Sequence, residues 1–237
     1  MALRRCSSLF LIRLEGSAIP MVYTKEDAIR IVVSCAEKFH NELEGKSLLM
    51  ILADKHNRTS YIEFSFYGYN YLHLTGLKVK RAFGASKELS VDNDIISAND
   101  FYRRCLNHKL SASDFEFSDD GTTALKLDIL PNVISKNLSA KMVGDYDSPK
   151  PRLYTDKLAG GTNGCMGFVV DGNSYRYVPN TILKEDIRNC CSSLMRVISI
   201  YRKSINDHDY AEIVYMTKKI NWEQITYPEE YSYLVLK

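Results

Sequence analysis

From Thr24 the chain falls into a helical rhythm, with Ala28, Ile29, Val32, Ala36, Phe39 and Leu43 recurring at three- and four-residue spacing up to Gly45. Thr24 can accept from first-turn N–H groups, and Glu26 and Asp27 suit the positive end of a helix. The rhythm then changes. Residues 47–53 and 59–66 are β-rich runs separated by 54–58, which predicts a hairpin. In the second run Ile62, Phe64 and Phe66 alternate with Tyr61, Glu63 and Ser65, giving one core face and one wetter face. After the break at Gly68, residues 70–76 read as a further extended stretch. Its alternation sets His73 and Thr75 on one face, opposite Leu72 and Leu74.

The middle of the chain is predicted to be helical. Ser97 with Asp100 marks a helix running to Leu106, and Ser111 with Asp114 repeats the signal before Phe115 and Phe117. Thr122 and Thr123 open a third helix that Pro131 kinks or ends. From Ala140 the texture turns to β. Runs at 141–146, 153–159 and 165–170 are followed by a tight Asp171-Gly172 turn into 174–178, with Pro179 expected to end that strand. A short helix over 183–190 precedes a last strand pair, 196–201 and 211–216. Helices before and within a largely antiparallel sheet indicate an α+β fold, with leading helices packed on a curved sheet. No repeat and no low-complexity linker divides residues 21–237, so one domain is expected there.

Charge and cysteine usage narrow the chemistry. The formal net charge is only +2 over 237 residues, too small for a global field that draws the protein to nucleic acid or membrane. Residues 140–203 are nevertheless basic and the tail, 204–237, is acidic, which suits an anionic ligand. Six scattered cysteines show no C-x-x-C pair and no histidine at ligand spacing, so no metal is expected; the scatter fits a reducing, cytoplasmic setting. No apolar run approaches a bilayer span, and the stretch Leu9 to Ile12 is cut short by Arg13. Residues 1–20 therefore read as an extension that does not pack.

Few motifs carry chemistry. The glycines at 160, 161 and 164 lack the Gly-Lys-Ser/Thr of a phosphate loop. His73 can exchange protons near neutral pH and Thr75 can orient a phosphate, although a core histidine bonded to a carbonyl would show the same pattern. Lys78, Lys80 and Arg81 form a cationic cluster of the kind that contacts phosphates. Thr155 and Lys157 are expected on one strand face, with Arg176 and Tyr177 on the neighbouring hairpin and Arg202 beyond. If those strands are neighbours, one sheet face carries cations and rings, as an RNA surface would.

Three stretches together, 70–76, 141–160 and 177–188, resemble the fourth group of phage Barnase–EndoU–colicin–RelE-like nuclease domains, found in phages, mobile elements and Firmicutes-type bacteria. The resemblance covers roughly residues 21–203. It implies a metal-independent, cofactor-free endoribonuclease in which the RNA 2′-hydroxyl attacks the adjacent phosphodiester. RNA is then the substrate, and an inhibitory or antitoxin protein is a possible partner. By position it makes His73 the general base or acid, Thr75 the phosphate-orienting group, and Lys157 the leading cation, followed by Arg202 and Lys184. Two other readings stay open. His-x-Thr on a strand also occurs in ADP-ribosyltransferases, with Glu212 the candidate acid here, and a nuclease fold can serve as a silent RNA- or protein-binding module. The tail, 222–237, with Tyr227, Tyr231 and Tyr233, either packs on the sheet or covers its basic face.

Overall fold

The first helix, α1 (Lys25–Glu42), starts where the pattern places it. Asp27 N–H donates to the Thr24 hydroxyl at 3.1 Å and the Asp27 carboxylate accepts from Thr24 N–H at 3.2 Å, a reciprocal cap. Ala28, Val32, Cys35, Ala36 and Phe39 form its buried stripe, with Ile29 at the margin. The structure, a computed structural model, describes residues 22–79, 96–148, 153–218, 222, 225, 227 and 229–234. Residues 1–20, Lys80 and Arg81 lie outside the described residues.

Strands β1 (Lys46–Ala53) and β2 (Thr59–Ser65) form the expected antiparallel hairpin. Short helix α2 (Tyr71–Thr75), strand β3 (Lys78–Val79), helix α3 (Ala98–Leu106), strand β4 (Phe115–Glu116) and helix α4 (Thr122–Val133) follow. Then come β5 (Met142–Asp145), β6 (Lys157–Gly160), β7 (Cys165–Val170), β8 (Tyr177–Leu183), β9 (Met195–Ser204) and β10 (Glu212–Met216). The eight-stranded sheet runs β1-β2-β8-β7-β6-β5-β9-β10, and β9 also pairs with β1 along its length, so the pairings return on themselves. The sheet is mixed: β2 and β8 meet in parallel at Phe64 and Tyr177, while the other pairs are antiparallel. The class is α+β, as expected.

The main core fills the space between helices and sheet. Val32, Phe39, Phe101 and Leu130 from the helices meet Leu48, Met50, Phe64 and Phe168 from the strands. Burial of side chains this size stabilises by about 1.5–3 kcal/mol each. Strand β1 is buried on both faces, because Leu49, Ile51 and Ala53 point away from the helices into a second cluster with Ile198, Tyr210, Tyr231 and Leu234. The tail thus packs on the far side of the sheet. Tyr231 donates to Glu63 at 2.7 Å and its ring stands edge-on to Tyr61.

Four local expectations are corrected. Residues 71–75 are helical because Tyr71, Leu74 and Thr75 are the buried set, at helical spacing, and Tyr71 donates to the Val32 carbonyl at 2.6 Å. Residues 115–116 pair with β3, since the Asp114 carboxylate is taken by Ser111 N–H and Arg104 and caps no helix. Strand β8 continues through Pro179, whose missing donor is absorbed where the register with β7 slips between Gly167 and Phe168. Of 183–190 only Ile187–Asn189 is helical, as a single 3₁₀ turn.

Candidate active site

A cleft of about 910 Å³ opens where α2, β3, β4, the start of α4 and β8 converge. Leu72, Leu77 and Val79 supply apolar wall, while His73, Lys78, Glu116, Thr122, Lys126 and Asn180 bring polar groups to it. The local sequence explains the convergence. Helix α2 stops at Gly76, which takes φ +70°, a left-handed value that a side chain resists. A Cβ there would also come within 2.8 Å of Lys126 Cδ and 3.2 Å of Thr123 Cα. Helix α4 can therefore lie close against the end of α2 and satisfy its open carbonyls. Thr123 Oγ1 donates to the Gly76 carbonyl at 2.7 Å, and Lys126 Nζ donates to the His73 carbonyl at 2.9 Å.

His73 is on the exposed side of α2, its side chain turned to the cleft. Loss of water around it, reinforced by the Lys126 charge, lowers its pKa from the ordinary histidine value, so the neutral ring prevails at neutral pH. Lys126 responds in the same direction. Partial burial lowers its pKa to about 8, with Asp120 opposing the shift. Among the described residues its ammonium makes no ion pair.

The sequence-predicted residues divide into two groups. His73 and Lys78 line the cleft, and Lys78 reaches Asp119 only at 3.4 Å, with both side chains exposed. Thr155 sits behind it, buried in coil before β6, its hydroxyl donating to Asn180 at 3.2 Å. Thr75 does not share a face with His73: it is fully buried, and its hydroxyl donates to the Leu72 carbonyl at 2.8 Å and accepts from Leu77 N–H. Its hydroxyl is spent on holding the end of α2.

The other cations lie outside the cleft lining and carry carboxylate partners or structural contacts. Lys157 pairs with Asp145 across β5 and β6, and Lys184 pairs with Asp128 of α4. Arg202 holds Glu212 through two bonds of 2.7 Å and the Glu42 carbonyl at 2.9 Å. Arg176 is half-buried in the turn before β8, and Tyr177 packs edge-on against Phe64. The ADP-ribosyltransferase alternative loses its pattern here, because His73 and Thr75 are on a helix and Glu212 is bound by Arg202.

Lys126 escaped the sequence reading. Its only signal is a lysine between Leu125 and Leu127 in a helix, a pattern common to amphipathic surfaces. Among the described residues no group of His, Cys, Asp or Glu is placed to hold a metal ion, and no helix is long and apolar enough to cross a membrane. The five described cysteines are buried and unpaired.

A family model described as phage-Barnase-EndoU-ColicinE5/D-RelE like nuclease4 matches residues 31–219, a span that contains every residue of the cleft. No curated protein and no solved structure matches the chain.

Proposed function

The chain belongs to the phage-Barnase-EndoU-ColicinE5/D-RelE like nuclease4 family, and from that membership we propose that it is an endoribonuclease using the cleft around His73. In this reading the 2′-hydroxyl of RNA attacks the neighbouring phosphodiester and leaves a 2′,3′-cyclic phosphate, with no metal ion taking part. The observation that carries it is His73 itself: an imidazole kept neutral by desolvation and by a nearby ammonium, opening on a cleft large enough for a nucleotide. A neutral ring is the form that accepts the 2′-hydroxyl proton. Lys78 contacts phosphate, and Leu72, Leu77 and Val79 give an apolar wall against which a base can pack.

The reading is tested by incubating mixed cellular RNA with wild-type protein and with His73→Ala, both in EDTA, and analysing the ends produced. Cleavage with cyclic-phosphate ends that falls roughly 100-fold or more in the variant is the expected result. Cleavage that survives the substitution moves the site out of this cleft. Binding of RNA without cleavage by the wild type makes the chain a binding module.

A further inference from the structure

Cleavage by an internal 2′-hydroxyl needs two proton transfers, and His73 supplies one of them. The attacking O2′ must lose its proton, and the departing O5′ would leave as a strongly basic alkoxide unless it gains one. Lys126 is the second group in the cleft able to serve. Its backbone belongs to α4 and its side chain crosses Gly76 to reach the end of α2, so two separate elements fix its head beside His73. One N–H goes to the His73 carbonyl at 2.9 Å. An ammonium has three donors, and among the described residues this is the one bond it makes.

We propose that Lys126 is the general acid of the reaction, giving its proton to O5′ while His73 takes the proton of O2′. The inference rests on the nuclease reading and extends it to the leaving group. In the step, the O2′–H bond breaks and its proton passes to the imidazole, while O2′ bonds to phosphorus. The P–O5′ bond breaks and O5′ takes a proton from the Lys126 ammonium. Imidazolium and neutral amine remain, and exchange with water restores both.

The electrostatics agree with these roles. The ionisable groups around Lys126 are His73 from α2, Lys78 from β3 and Glu116 from β4, which line the same cleft, and Asp120 from the turn before α4; Asp119 lies beside Lys78. Each carboxylate has another partner. Glu116 pairs with Lys25 at 2.9 Å, Asp119 with Lys78, and Asp120 accepts from the Thr122 hydroxyl and N–H. With a pKa of about 8, Lys126 still holds its proton at pH 7 but gives it up more readily than an ordinary lysine, and the lowered pKa of His73 favours the proton-accepting ring.

A merely structural lysine, capping the carbonyl of α2, is separated from a general acid by changing the leaving group. A ribonucleoside 3′-(4-nitrophenyl phosphate) expels nitrophenolate, which departs without a proton. Lys126→Met and Lys126→Arg are each expected to lose roughly 100-fold on a dinucleotide yet stay within about threefold of wild type on the nitrophenyl ester. His73→Ala is expected to lose both. The wild-type rate on the dinucleotide should fall at alkaline pH through about 8, and that limb should move to higher pH in Lys126→Arg. Retained activity on the ester reports that a variant is folded. Equal losses on both substrates in both variants, or no loss on the dinucleotide, would overturn the acid role. A wild type that cleaves neither substrate would overturn the nuclease reading, and this inference with it.

Discussion

The strands and the end of α2 hold their cations in opposite ways. On the strands and beside them, Lys157 meets Asp145, Lys184 meets Asp128, Arg188 meets Asp186 and Arg202 meets both Glu212 and Glu42. In the cleft, Lys126 meets a backbone carbonyl, and His73 is partly desolvated with the Lys126 charge nearby. A carboxylate fixes a cation in its charged form and uses up its donors. A carbonyl and partial burial leave it strained towards losing its proton. The first arrangement ties a cation to its neighbouring element or turn; the second lowers the pKa of the group it holds.

The contrast is broken most directly by exchanging the effects of the two groups. His73→Ala is expected to lower RNA cleavage by roughly 10²–10⁴-fold, whereas Lys157→Met should change it by no more than about threefold. If initial-rate measurements give the reverse order, the chemistry belongs to the strand face. Stability should respond the other way. Arg202→Met leaves Glu212 and Glu42 without their shared donor and should cost about 1–2 kcal/mol in urea melts, an estimate reduced for the partial exposure of both carboxylates.

Lys126→Met should instead raise stability, by about 1 kcal/mol at pH 7, because it removes a charge that folding partly buries. The pH dependence has a definite sign. The folded pKa of about 8 lies below the unfolded value of 10.5, so between them the unfolded chain holds the proton that the folded chain has released. Wild-type stability is therefore expected to gain about 1–3 kcal/mol relative to Lys126→Met as pH rises through that window. Urea melts of both proteins at pH 7 and pH 10 measure the difference, and parallel behaviour would remove Lys126 from the comparison. Gly76→Ala is expected to act on both stability and cleavage. It should cost ~1 kcal/mol for the left-handed backbone, and the new Cβ must displace the Lys126 side chain, so cleavage should fall together with the thermal midpoint.

The start and buried stripe of α1, the β1–β2 hairpin, the last strand pair and the α+β class were legible in the sequence alone. In each of these the buried face repeats over several residues, so periodicity outweighs any single contact. The sequence also pointed to His73 and Lys78, both of which line the cleft. It misplaced the backbone of 71–75 because five residues are too few for alternation to be told from helical spacing; the contacts of Tyr71 with Val32 decided for the helix. The continuation of β8 through Pro179 depended on a register slip against β7, which no local pattern announces. Which cations are free was also settled only by folding. Lys157 and Lys126 are alike in sequence, a lysine next to an apolar residue, and the tertiary structure gave one a carboxylate twelve residues away and the other a carbonyl fifty-three residues away. A charge acquires its function from its neighbours, and those neighbours are set by long-range packing.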